Sequence, residues 1–153
     1  MKEFKFQTEI WLPRRREEVF PFFADARNLQ IITPPWLKFQ ALTPMPVEMK
    51  VGARIDYQLH VHGFPLRWQS EITAWEAPYR FVDEQRKGPY RRWVHEHVFE
   101  MRPGGTLCRD NVRYAAPGGW LIEQLFVRRD LERIFAFRSK KLMELFGDGR
   151  CSA

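Results

Sequence analysis

Two histidines stand two residues apart in the stretch Trp93-Val-His95-Glu-His97-Val-Phe99. On a β-strand, period-two geometry sends Trp93, His95, His97 and Phe99 to one face. By the same rule, Phe81-Val-Asp83-Glu-Gln85 presents an aromatic ring, a carboxylate and an amide on one face. Gly88-Pro89 between the two stretches reads as a turn. When the two faces coincide, imidazoles meet a carboxylate and an amide among aromatic rings. Such a set can orient the polar end of a ligand, serve as a His–Asp general base, or hold a metal ion. Asp110, in phase with Val112 and Tyr114 on a later strand, can complete it.

The metal reading weakens on inspection of a second pair, His60 and His62. These are out of phase with Ile55, Tyr57, Leu59 and Val61, so they should face solvent. A four-histidine site is thereby excluded. Zinc usually takes three protein ligands, each steadied by an outer partner, so no metal and no cofactor is expected. Catalysis through a nucleophile lacks its Ser or Cys. Cys108 is in phase with Asp110 and reads as an inert buried hydrophobe. The ordinary role of His95 and His97 is pairing with Asp83, Gln85 or Asp110, because buried polar groups need partners.

The elements that position these groups follow from hydrophobic periodicity. Phe4–Trp11 alternates as a half-buried strand. Arg15–Ala24 is a short helix carrying Val19, Phe20 and Phe23, interrupted by Pro21. Asp25 caps a second short helix, Ala26–Ile32, which Thr33-Pro34-Pro35 stops. Strands are expected over Leu37–Leu42, Arg54–His62, Leu66–Trp75, the two stretches of the opening hairpin, and Leu107–Tyr114. A long helix follows Pro117-Gly118-Gly119, from about Trp120 to Phe146. At ~100° per residue its apolar stripe comprises Trp120, Val127, Leu131, Ile134, Phe135, Leu142, Leu145 and Phe146.

Arg138 sits at the centre of that stripe. An arginine there should pair with Asp110 or Asp83, or hold an anionic ligand group. Phe126 and Phe137 lie off the stripe, either under the short helices or as a patch for self-association, which makes a homodimer one alternative.

Strands in series with segregated helices define an α+β chain. Its 153 residues, 44% apolar with 13 Phe and 6 Trp, suffice for one real core. A single domain over residues 1–147 with a loose tail at 148–153 is expected. No apolar run approaches the ~20 residues of a membrane span, and no apolar leader opens the chain. The expected setting is cytoplasmic, and two distant cysteines suit it. The net charge of +6 is spread over scattered basic clusters without interleaved aromatics. It reads as a solvated surface, and nucleic acid is not the expected partner. An RNA, ribosome or anionic-lipid partner is the alternative.

Order and motifs together resemble the START-like, birch-pollen-allergen-like helix-grip superfamily, also called SRPBCC, and within it a bacterial ligand-binding subgroup. The matching stretches are Leu29–Phe39, Gly52–Tyr57, the Trp68…Ile72 strand, Phe81–Phe99, Gly104-Gly105-Thr106 with Asp110-x-Val112-x-Tyr114, and Ile134-Phe135-x-x-Arg138. Gly88-Pro89-Tyr90…Trp93-x-His95-x-His97-x-Phe99 is the most specific of them. The resemblance implies a seven-stranded antiparallel sheet, ordered β-α-α-β6-α, curved around the C-terminal helix over a cavity. Relatives bind lipids, sterols or polyketides there, and some are cyclases or hydrolases. Fold does not transfer the substrate.

The leading expectation is binding of a small apolar or amphipathic molecule such as a lipid, fatty acid or polyketide-like aromatic. Its contacts would be Tyr57, Trp68, Asp83, Gln85, Trp93, His95, His97, Phe99, Asp110, Tyr114 and Arg138. The alternatives are a cyclase or hydrolase using His95 or His97 with Asp110, and a protein- or RNA-interaction module with a basic surface.

Overall fold

The computed structural model describes residues 2–147. The tail expected at 148–153, with Cys151, lies outside the described residues. Seven strands form one antiparallel sheet: β1 (Phe4–Leu12), β2 (Gln40–Ala41), β3 (Arg54–Val61), β4 (Phe64–Glu76), β5 (Arg80–Lys87), β6 (Arg92–Arg102) and β7 (Gly105–Ala115). Their order is β1-β7-β6-β5-β4-β3-β2, so the chain's first strand closes against its last. The helix Arg16–Phe23 and two short 3₁₀ segments, Ala26–Gln30 and Pro35–Leu37, cross from β1 to β2. This is the α+β helix-grip fold.

Local chemistry explains the breaks between elements. Asp25 caps the first 3₁₀ segment, accepting from the Arg27 N–H at 3.0 Å. The expected strand Leu37–Leu42 is shorter than its alternation suggested. Leu37 belongs to a 3₁₀ turn, and Lys38 takes a left-handed conformation at φ 46°. Only Gln40 and Ala41 then pair with β3. The left-handed residue turns the backbone out of sheet register before the ladder can begin.

The C-terminal helix departs from its expected phase. It opens with an α-turn at Gly119–Ile122, passes through a π-turn at Glu123–Val127, and continues as α-helix over Arg128–Phe146. Leu131, Phe135, Arg138 and Leu142 are buried, and Val127, Ile134 and Phe146 are half-buried. Trp120 and Leu145, both assigned to the stripe, are exposed. The π-turn accommodates an extra residue, so residues before it rotate out of the 3.6-residue phase. Trp120 swings into solvent and Glu123 swings inward, to 1% exposure. Leu145 is exposed although its neighbour Phe146 is half-buried and packs on Phe22 at 5.5 Å. Phe137 packs edge-on against Trp36 at 5.9 Å, whereas Phe126 stays exposed.

Two apolar clusters fill the ends of the space between sheet and helix. One gathers Leu12, Val19, Phe20, Ile72, Phe81, Phe99 and Leu142 beneath the short helices. The other gathers Phe6, Leu59, Trp68, Trp93, Val112, Tyr114, Leu131 and Phe135. Between them lies a cavity.

Candidate functional site

The β5–β6 register brings the two faces read from the sequence together. Phe81 pairs with His97, and Asp83 with His95. Across the next ladder, His97 faces Asp110. His97 Nε2 lies 2.7 Å from Asp83 Oδ2, and His95 Nε2 lies 2.8 Å from Asp110 Oδ1. From the helix, Arg138 Nη2 reaches Asp110 Oδ1 at 3.2 Å and His97 Nδ1 at 3.4 Å. The two imidazoles stack at 3.7 Å, and His97 stacks on Phe81 at 4.1 Å. Five ionisable side chains from three strands and one helix thus form one network.

Hydrogen-bond direction assigns the protons. A guanidinium only donates, so His97 Nδ1 accepts from Arg138 and His97 Nε2–H donates to Asp83. His97 is therefore neutral. Burial, and then the adjacent His95, push its pKa down to about 4. Burial works to raise Asp110, but Arg138 and His95 outweigh it and hold this carboxyl well below the usual carboxylate range. Burial is likewise overcome at Asp83, chiefly by the His97 hydrogen bond, and its pKa is lowered. Two carboxylates thus face one guanidinium. His95 Nε2–H donates to ionised Asp110, and nothing among the described residues bonds His95 Nδ1. Arg138 Nε is buried without a hydrogen-bond partner. The rings of Phe23 and Phe135, 5.2 and 5.8 Å from the guanidinium carbon, cover this cation.

The network forms one wall of a cavity of about 400 Å³. Its lining is mainly apolar, from Leu29, Leu37, Leu59, Leu66, Leu131 and Phe135 among others. Tyr57, Trp68, Asp83, Trp93, His95, His97 and Arg138 all contribute to it. Asp110 stands behind His95 and orients it. Three residues expected in the wall are placed elsewhere. Gln85 turns to the β5–β6 loop, where its amide donates to the Tyr90 carbonyl at 2.6 Å and accepts from the Tyr90 N–H at 3.1 Å. That irregular turn leaves both Tyr90 backbone groups without ladder partners, so the side chain supplies them. Phe99 packs among Phe20, Phe23 and Phe81 in the filled cluster. Tyr114 donates to Glu123 Oε1 at 2.5 Å, and its phenol is pushed up to about 12 by burial and then by Glu123.

Two polar residues were missed by pattern reading. Ser70 lines the cavity and bonds both the Tyr57 hydroxyl at 2.7 Å and Trp68 Nε1 at 3.0 Å. Burial raises the Tyr57 pKa far above its ordinary value, so this phenol stays protonated. A signal for Ser70 existed: a small polar residue in phase with Trp68 and Ile72, next to donors that need a partner. Glu123 had no such signal, because the π-turn that buries it leaves no mark in the periodicity.

His60 and His62 do not join the network. His60 is half-buried with its Nδ1 unpartnered, rather than facing solvent as expected. His62 is exposed, in a left-handed turn just after β3, and bonds Asp130 on the helix at 2.9 Å. Asp83, His95 and His97 each offer one ligand atom within 4.8 Å of the others. Imidazole lone pairs lie in the ring planes. Two rings stacked with planes 24° apart direct their lone pairs nearly in parallel rather than toward one point. The Arg138 cation already occupies the electrostatic role that a metal would fill. Cys108 is buried, and burial pushes its thiol up to about 12, so it is unreactive.

This geometry sits in a known fold and family. The sequence matches the family described as polyketide cyclase / dehydrase and lipid transport over residues 12–137, and the chain belongs to it. No curated protein matches the chain. Protein CV1439 from Chromobacterium violaceum shares the fold with a TM-score of 0.74 at 12% identity, covering 94% of this chain and 97% of that one. Major latex-like protein 151 from Panax ginseng gives a TM-score of 0.70 at 12% identity, with coverages of 94% and 97%. Protein Ms6760 from Mycobacterium smegmatis gives 0.67 at 16% identity, with coverages of 92% and 89%. The chain is thus a member of the helix-grip, SRPBCC superfamily.

Proposed function

We propose that the protein binds a small, mainly apolar molecule whose polar end docks at His95. The observation that carries this reading is the cavity of about 400 Å³ with one polar wall. That volume falls in the roughly 300–1,000 Å³ range of small-molecule sites, which pair apolar linings with few polar groups. The polar wall also discriminates between ligand classes. Two ionised carboxylates against one guanidinium repel a further anion. His95 Nδ1 is an open acceptor. A neutral hydroxyl or phenol end, as on a polyketide-like aromatic or a sterol, therefore suits the site better than a free fatty acid. Arg138 is the structural counter-ion of Asp110 rather than a carboxylate receptor.

Native mass spectrometry of gently purified protein tests occupancy. Quenching of Trp68 and Trp93 fluorescence with a panel of matched alcohols, phenols and fatty acids tests selectivity. Hydroxyl ligands should bind most tightly; tighter binding of the carboxylates would reverse the assignment.

A second reading rests on the His95–Asp110 dyad. Asp110, pinned by Arg138, holds His95 with its Nδ1 available on the cavity side. That is the arrangement of a general base with an orienting carboxylate. His97 is a poorer candidate for the base, because both its nitrogens are committed. Turnover of polyketide-like substrates that is abolished in His95→Gln and retained in His97→Gln would establish this reading.

A further inference from the structure

We propose that the mouth of the cavity is a docking surface for an anionic lipid bilayer. The sequence Trp120-Leu-Ile-Glu-Gln-Leu-Phe126 exposes five large apolar side chains: Trp120, Leu121, Ile122, Leu125 and Phe126. Soluble surfaces rarely gather so many in one short stretch, and such patches mark interaction sites. The patch is built in. Gly118 and Gly119 take positive φ angles of 96° and 75°, and the following turn is π-helical. Together these rotate Trp120 out of the stripe that would have buried it. A second apolar side chain, Phe64, projects from the β3–β4 hairpin at 72% exposure. The His62–Asp130 hydrogen bond ties that hairpin to the helix.

The patch is continuous with the cavity. Pro117 and Ile122 are exposed and also line it, as do Ala116 and Val127 from the same segment. An apolar molecule leaving a bilayer here would enter without crossing water. That delivery role rests on the ligand-binding reading, whereas the docking surface does not.

Charge selects a bilayer with anionic headgroups. Most basic residues of the chain are engaged: Arg54 and Arg86 with Glu71, Arg92 with Glu3, Arg109 with Glu9 and Glu100, Arg128 with Glu132. Lys87, Arg91 and Arg129 are exposed without an ion-pair partner among the described residues, as are Lys2, Lys5, Lys38, Arg67, Arg113, Arg133 and Lys140. Arg91 and Arg129 are the ones that border the apolar segment in the chain or by a backbone bond. Lys87 and Arg91 flank the β5–β6 turn, whose Arg91 N–H bonds the Ala115 carbonyl at 2.8 Å. This places Arg91 at the start of the loop that leads to Trp120, whereas Lys87 pairs with Gln69 on β4. Arg129 follows Phe126 on the next helical turn. Apolar side chains that insert, beside cations that meet headgroups, form the pattern of an interfacial binding segment.

Sedimentation of the ligand-free chain with vesicles tests the proposal, using phosphatidylcholine alone or mixed with phosphatidylserine. The chain should pellet with the mixed vesicles and stay in solution with phosphatidylcholine alone. Leu125→Glu/Phe126→Glu should abolish pelleting. Arg91→Gln/Arg129→Gln should weaken it by about fivefold per cation removed, with a shallower salt dependence. Thermal unfolding and tryptophan quenching by a soluble apolar ligand should be unchanged in both variants. That second readout separates failure of docking from failure of ligand binding. No association with the mixed vesicles, equal association with both compositions, or wild-type pelleting of the glutamate variant would overturn the proposal. So would a concentration-dependent dimer that is lost in the glutamate variant without any vesicle association, since the patch would then belong to a second copy.

Discussion

The molecule inverts the usual distribution of residue types twice, and both inversions border the same cavity. Inside, Asp83, His95, His97, Asp110 and Arg138 occupy positions where apolar side chains would pack. Outside, Trp120, Leu121, Ile122, Leu125 and Phe126 occupy positions where polar side chains would be solvated. The inner cluster closes its own electrostatic needs, because nearly every charged group has a partner within hydrogen-bond reach. The outer cluster leaves its needs open. The difference teaches that the inner residues are coupled, so removing one strands another. The outer residues are independent, so removing one should leave the fold untouched.

The largest expected effect follows from breaking that coupling. Arg138→Met leaves Asp110 buried without its cation and should cost about 3–5 kcal/mol of stability by urea unfolding. The double variant Arg138→Met/Asp110→Asn should recover part of the loss. A single variant with the wild-type midpoint would show that the cluster is not coupled.

Acidification should act in the same direction. His97 has its pKa lowered from 6.5 to about 4, so the unfolded chain binds more protons between those values. Its contribution is fully present above about pH 6.5 and is lost as pH falls toward 4, a change on the order of 3 kcal/mol. Asp83 and Asp110, whose pKa values are also lowered, add losses below about pH 4. In His97→Gln, which keeps a donor for Asp83, stability between pH 6.5 and 4 should flatten; an unchanged slope would assign the titration elsewhere.

Ser70→Ala removes the shared partner of Tyr57 and Trp68 and should cost about 1–3 kcal/mol in thermal or urea unfolding. A His95→Phe substitution should weaken a hydroxyl ligand about tenfold and leave a hydrocarbon of the same shape unaffected, as read by tryptophan quenching. Equal loss for both would make His95 a packing residue. Smallest of all, Phe126→Glu should shift stability by less than about 0.5 kcal/mol.

Much of the inner cluster was legible in the residue order because strand alternation is a local rule. Phe81 and Asp83 meet His95 and His97 as period two requires, and Arg138 stood out as a charge in an apolar stripe. Gln85, Phe99 and Tyr114 obeyed the same alternation yet left the cavity wall, for reasons outside their strand. A turn needed the Gln85 amide, the short helices covered Phe99, and Glu123 captured Tyr114. The outer cluster was only half legible. Phe126 was visible as an off-stripe aromatic, but Trp120 was assigned to the core because the wheel assumes unbroken 3.6-residue turns.

By itself, the sequence determined the strands, the long helix, the hairpin that carries the histidines, and the α+β class. These follow from alternation, helical spacing and glycine–proline turns, which act between near neighbours. Only the tertiary structure decided which imidazole nitrogen is committed and which is open. It also decided that Arg138 neutralises Asp110, and that a π-turn buries Glu123 while exposing Trp120. Those outcomes depend on distances between segments far apart in the chain, where one hydrogen bond or one extra residue in a helical turn outweighs local preference.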